Sequence, residues 1–197
     1  MSTEASAQTP LRIIVFGHPS ADPAAIAKEF DGIAFPADYG HCDLGIFAIN
    51  PATGIDAETI AQWEALNETM APRMILVTGL ESTEADFDDA VLLANRVFDM
   101  TVTPYLVLHD DGGEACALIS LDNLEIRDYS TDPPTIKASD PEHQTLVSEF
   151  QVEYRAAMDV LGEDGFAAGM TFPAIPLWIE KGIGVDIVKN YIEKLKY

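Results

Sequence analysis

The chain's clearest suggestion of chemistry is an eight-residue loop, Gly17-His18-Pro19-Ser20-Ala21-Asp22-Pro23-Ala24, directly after the apolar run Leu11 to Phe16. A loop in this place cradles phosphate when it reads GxxxxGK[ST]: the glycine curls the backbone, the lysine neutralises charge and the hydroxyl holds magnesium. Gly17 meets that pattern, but the last three positions are Asp22, Pro23 and Ala24. Asp22 stands where an N-cap would stand, so its carboxylate is expected to accept from the free N–H groups of a helix start. Pro23 suits the first helical position. The positive end of that helix, which would attract phosphate, is then filled by the chain's own anion. A second anion about 4 Å away would meet a repulsion of about 4 kcal/mol at an effective dielectric of about 20. Ala24 offers magnesium no oxygen. The same residues also make an ordinary well-capped helix start.

Other candidate groups are sparser. The four histidines, His18, His41, His109 and His143, are scattered, and there is no Gly-x-Ser-x-Gly elbow. His109 beside Asp110 is either a proton-transfer pair or a solvated loop. Asp88-Asp89 and Asp110-Asp111 read as solvated faces, since neither continues as a calcium loop would. Cys42 and Cys116 lack CxxC spacing, which fits a reducing cytoplasm better than a disulfide framework. His41 adjacent to Cys42 is poor geometry for a shared metal, so no metal site is expected.

The elements that must position the loop come from hydrophobic patterning. The runs 11–16, 44–49 and 74–78 are short, continuous and rich in branched residues, as expected of strands buried on both faces. Between them, 23–30, 56–70 and 86–98 have helical spacing, with Ile60, Trp63 and Leu66 on one face and Phe87, Ala90, Val91, Ala94 and Val97 on another. Strand and helix in alternation imply a mostly parallel, doubly wound α/β sheet. Tyr105–Leu108 is expected as its next strand. The pattern then changes: the turn signal Asp110–Gly113 leads into a predicted antiparallel pair, 117–121 and 124–129. A proline-containing linker is expected over 131–141 and one long amphipathic helix over 142–161, before a last strand at 173–178 and a last helix at 185–195. The chain is thus read as a tail over residues 1–10 and a single α/β domain over 11–197, interrupted by an α+β insertion at about 110–170.

With 33 acidic against 11 basic residues, the formal net charge is −22. A surface of this kind repels bare nucleic acid and anionic membrane, and it reads either as a salt-tolerant solvated surface or as an acidic partner face. No run approaches the ~18 apolar residues needed to span a bilayer. Residues 1–10 lack the charged and apolar regions of a signal peptide, so a cytoplasmic protein is expected.

The chain resembles the GTP-binding region of the translational GTPases, specifically elongation factor G. That family opens its phosphate loop with GHxDAGKT; Gly17, His18 and Ala21 match, and Asp22, Pro23 and Ala24 depart. The similarity is clearest over 43–87, through Asp43, Gly54, Thr59, Trp63, Asn67, Pro72, Arg73 and Val77 to Thr83, Ala85, Asp86 and Phe87. The family's guanine-reading Asn-Lys-x-Asp stands here as Thr78-Gly79-Leu80-Glu81. Leu118, Ile119, Leu121 and Tyr129 continue the likeness into the inserted block, and Phe172-Pro173, Lys181, Gly184 and Val185 carry it to the end. Trp178-Ile179 replaces the family's base-contacting Ser/Thr-Ala. Between Phe30 and Asp43 there is too little chain for the first switch, two strands and the second switch helix. Asp38-Tyr39-Gly40-His41 is similar to the family's Asp-Thr-Pro-Gly-His, as a remnant or by chance.

The resemblance implies a degenerate P-loop GTPase-like domain with no resident cofactor and no ordinary GTP hydrolysis. It also implies a protein partner connected with translation and the ribosome. The alternative is GTP or GDP held in a non-standard mode, with Glu81 reading the base and backbone N–H groups taking phosphate.

Overall fold

A computed structural model describes residues 10–37, 40–82 and 86–196. Most of the expected tail lies outside these residues, as do Asp38, Tyr39, Thr83 and Ala85. The buried apolar runs form the parallel strands β1 (Ile13–Gly17), β3 (Leu44–Ile49) and β4 (Arg73–Val77). Two short strands, β2 (Ile33–Ala34) and β9 (Ala174–Pro176), complete a five-stranded sheet in the order β2-β1-β3-β4-β9. All four pairings in it are parallel.

The period-2 alternation of the strands divides the core into two layers. Ile13 and Val15 of β1 face one side, with Ile26 and Ala27 of α1 (Pro23–Glu29) and Ile187, Val188 and Ile192 of α6 (Val185–Lys194). Ile14 and Phe16 face the other, with Trp63 and Leu66 of α2 (Ala57–Asn67) and Phe87, Ala90 and Ala94 of α3 (Phe87–Val97). Helices thus cover both faces, as a doubly wound sheet requires.

The second sheet is antiparallel, in the order β5-β6-β7-β8: β5 (Tyr105–His109), β6 (Ala115–Ser120), β7 (Glu125–Asp128) and β8 (Thr135–Ala138). Three expectations are corrected here. The strand at 105–108 does not extend the parallel series; it pairs antiparallel with β6. The chain does touch the parallel sheet just before it, where Val102 bridges Pro173. The segment 131–141 is not only a linker, because it contains β8, hydrogen-bonded to β7. The helix expected over 142–161 is two helices, α4 (Pro141–Leu146) and α5 (Ser148–Leu161). They break at Val147, which turns inward onto Leu106, Ala117, Ile119 and Ile126. The opposite face of this sheet packs on α6, and Asp186 fixes the contact by accepting from Arg127 and from the Tyr129 hydroxyl, each at 2.8 Å. No helix among the described residues is long and apolar enough to cross a membrane.

Candidate functional site

The parallel sheet grows in opposite directions from β1: to β2 on one side and to β3, β4 and β9 on the other. In open α/β sheets such a switch point opens a crevice at the carboxyl ends of the strands, the usual place for a ligand. Here the crevice lies between the loops after β1 and β3, and the chain's own polar groups bridge it. Asn50 Nδ2 donates to the Ser20 carbonyl at 3.0 Å, and the Ser20 and Thr53 hydroxyls meet at 2.6 Å.

The loop after β1 does not curl open around a guest. Residues Pro19–Ala21 form a 3-10 turn. The Ser20 N–H donates to His18 Nδ1 at 3.2 Å, Ala21 N–H to the His18 carbonyl at 2.9 Å, and Asp22 N–H to the Pro19 carbonyl at 3.0 Å. Asp22 then caps α1, its Oδ1 accepting from Ala25 N–H at 3.2 Å, with Pro23 at the first helical position. Four N–H groups that would serve a phosphate are therefore spent within the loop, and Pro19 and Pro23 have none to give. This internal use of donors is the stronger block, because Asp22 is exposed and repulsion at about 4 Å falls to about 1 kcal/mol at the dielectric of water. Asp22 adopts the left-handed conformation, φ 50° and ψ 56°. Asp22→Ala is accordingly expected to cost about 2 kcal/mol in urea unfolding, from the lost cap and a Cβ forced into the left-handed region. Asp22→Asn and Asp22→Gly should stay within about 0.5 kcal/mol of the parent, since each suits that conformation.

Six of the sequence-derived positions meet in one cleft of about 120 Å³: Ala21, Asp22, Thr78, Gly79, Glu81 and Trp178. Ligand pockets of drug or cofactor size run from about 300 to 1,000 Å³, so this space is too small for a nucleoside triphosphate. Its lining has three carboxylates, Asp22, Glu81 and Glu180, and no basic residue. Thr78 is drawn back to the sheet, its N–H donating to the Ile49 carbonyl at 2.8 Å. Gly79, at φ +81°, leaves room for the Asn50 amide, 3.1 Å from where a Cβ would stand. Trp178 carries the Lys181 ammonium 4.4 Å from its ring centre, and Lys181 pairs with Glu114. The base-loop position is thereby tied to the turn between β5 and β6.

Gly17, Pro23 and Ala24, with Asp22 again, line a different cleft of about 320 Å³ together with Phe16, Phe35, Asp56 and Glu58. Asp56 is occupied as the cap of α2, accepting from Thr59 N–H at 2.7 Å. Gly40 and His41 belong to neither cleft. His41 Nε2 lies 2.8 Å from Asp43 Oδ1, and the other Asp43 oxygen accepts from Arg12 N–H. This puts His41 at the amino ends of β1 and β3, roughly 15 Å of strand away from the loop. A histidine there is out of reach of chemistry at the loop; Asp38 lies outside the described residues.

The remaining candidates resolve into structural devices. The Asp110 carboxylate closes the β5–β6 turn, accepting from Gly112 and Glu114 N–H, and these bonds hold its pKa below the usual range. Asp86 caps α3 through Asp88 N–H at 2.9 Å. Burial pushes the Cys42 thiol up to about 11. Among the described residues no three His, Cys, Asp or Glu converge as a metal site. Asn50, Thr53 and Pro19 were not singled out from sequence. Pro19 was the available signal, as a second missing donor in the loop, whereas the Asn50–Ser20 pairing joins residues 30 apart.

No protein-family model matches the chain. It is 22% identical over 166 residues to the elongation factor G-like protein of Mycobacterium tuberculosis, in strains CDC 1551 / Oshkosh and ATCC 25618 / H37Rv alike. The match covers 72% of this chain and 22% of that protein, so the chain spans about a fifth of the length of the curated relatives it matches. A crystal structure of a protein from Thermus thermophilus superposes with a TM-score of 0.67 at 19% identity, over 77% of this chain and 26% of that one. The chain therefore has a mixed α/β fold of P-loop-like kind with an antiparallel insertion, shared with the Thermus protein, and a sequence similar to one stretch of the elongation factor G-like proteins.

Proposed function

We propose that the chain is a degenerate, non-hydrolysing G-domain-like module that binds a protein partner in translation, in the cytoplasm and in association with the ribosome. One observation carries the loss of nucleotide: Ser20, Ala21, Asp22 and Ala25 spend their N–H groups inside the loop that would hold phosphate. The small acid-lined cleft beside it and the lack of a hydroxyl at Ala24 support the same reading. The sequence likeness to elongation factor G-like proteins supports the connection with translation. A formal charge of −22 argues for a protein partner over a nucleic-acid backbone or an anionic membrane.

Thermal unfolding with 1 mM GTP or GDP and magnesium tests the loss. The expected result is an unchanged Tm with either nucleotide. Ligand at about 100 times its Kd would stabilise by about 2.7 kcal/mol, which is about 5 to 10 °C for a chain of this size. A shift of that order would overturn the proposal. The second reading, a non-standard nucleotide site, draws on Glu81 and Trp178 sharing one cleft. It requires that shift to appear in the parent and to vanish in Glu81→Gln.

A further inference from the structure

A third cleft, of about 480 Å³, opens where the start of β5 and the end of β6 meet α5 and α6, clear of the loop after β1. Tyr105 enters it from β5, Tyr154 from α5, Tyr191 from α6 and Asp122 from the turn between β6 and β7. All three tyrosines are half-buried. Burial pushes each hydroxyl's pKa up and the Asp122 charge adds to the rise, taking Tyr154 to about 12. They are therefore neutral phenols at physiological pH, grouped around one carboxylate.

The cleft holds unused polar groups. Tyr105 lies beside Arg127, whose charge partly offsets the effect of burial on its hydroxyl. The Tyr154 and Tyr191 hydroxyls and the Asp122 carboxylate make no hydrogen bond among the described residues. Arg155 reaches Asp122 but donates to its backbone carbonyl, at 3.0 Å, leaving the carboxylate open. The charge that this surface attracts is visible within the chain itself: the Lys194 ammonium of the exposed end of α6 lies 5.1 Å from the centre of the Tyr191 ring. Aromatic rings beside a carboxylate are the arrangement that holds organic cations, which the ring quadrupole and the carboxylate attract together.

We propose that this cleft binds an alkylammonium or guanidinium group, with the tyrosine rings and the Asp122 carboxylate sharing its charge. Lys194 is the chain's own competitor for one ring. The strong net negative charge raises the local concentration of such cations. The cation comes either free, as a polyamine, or as a lysine or arginine side chain of a partner protein.

Calorimetry and amide chemical-shift titration of the full chain distinguish these sources, with spermidine as one probe and an acetylated Gly-Arg-Gly-Lys amide as the other. At 0.3 M salt the screening length is about 5–6 Å, so general attraction to the acidic surface is suppressed. The expected result is one site per chain with shifts centred on Tyr154 and Tyr191. Asp122→Asn should weaken it about tenfold, Lys194→Ala should tighten it a few-fold, and Glu68→Gln, just past the end of α2, should leave it unchanged. These dependences with spermidine mark a free cation, and with the peptide alone a partner's side chain; either supports the site. No binding by either probe, or equal losses in Asp122→Asn and Glu68→Gln, overturns it. The opposite responses of Asp122→Asn and Lys194→Ala separate cation binding from a loss of folding.

Discussion

Arg73→Ala is expected to destabilise the protein by about 3–5 kcal/mol and to lower its Tm by about 10 °C. Arg73 is the largest of the fully buried side chains, at 0% exposure, in β4 of the parallel sheet. Its guanidinium packs against two rings that themselves meet edge to face at 5.1 Å, Trp63 at 4.5 Å and Phe172 at 4.4 Å. It donates to the Trp63 carbonyl at 3.2 Å and to Asn67 Oδ1 at 2.9 Å, and Asp99 lies 3.9 Å away as a partly exposed counter-ion. Asp99 also accepts from the Trp63 indole N–H at 3.0 Å, so the cation, the ring and the carboxylate form one unit. Alanine would leave a cavity against two aromatic rings and strip both of their cation contacts.

Desolvation works in the other direction. Burial disfavours the charged guanidinium, Asp99 offsets this only in part, and Nε has no hydrogen-bond partner among the described residues. Removing a buried charge returns that penalty, and well-packed apolar replacements of buried ions are often tolerated. Arg73→Met keeps most of the volume without the charge, so it should lose less than half of what alanine loses. Urea unfolding of the two variants checks the order. Equal losses would mean that charge, not packing, holds the α2 side of the sheet together.

The same cluster shows what the sequence made legible. Trp63, Leu66, Phe87, Ala90 and Ala94 lie at helical spacing, and continuous apolar runs mark β1, β3 and β4, so the two covered faces of the parallel sheet could be read from periodicity. The capping of α1 by Asp22 could be read as well, because it needs only neighbouring residues. What could not be read depends on distant pairing. The strand β8 is exposed at all four residues and follows two prolines; it is a strand because β7 offers it a ladder. Tyr105–His109 is equally suited to either sheet by composition, and the hairpin to β6 decides. Val147 breaks a good helical pattern because the core beneath it has room for an apolar side chain. His41 sits at the wrong end of the sheet because the chain from β2 must return to the amino end of β3 before that strand begins. At the loop, the departures from the phosphate motif were visible. The closure by Asn50 and Thr53 was not, since no local pattern announces a contact across the switch point.

Gly17 is the motif position that matches, and its presence follows from packing without any phosphate. It ends β1 opposite Ala48 of β3, with φ at +150°. A Cβ there would stand 2.5 Å from the Ala48 carbonyl oxygen and 3.1 Å from its Cβ. The obstacle is backbone held on both sides by parallel ladders, so it cannot step aside as a flexible side chain would. Gly17→Ala is therefore expected to cost about 4 kcal/mol, from about 1–3 for the backbone conformation and about 1–3 for the overpacking. Gly113, in the β5–β6 turn, provides the comparison: its φ is +81° but nothing lies within 4 Å of an added Cβ. Gly113→Ala should cost about 1 kcal/mol, the conformational part alone. Paired urea unfolding of the two variants separates the contributions. If they lose the same amount, β1 and β3 can part to admit a methyl group, and the glycine at the head of the loop would then need an explanation other than the close approach of two strands.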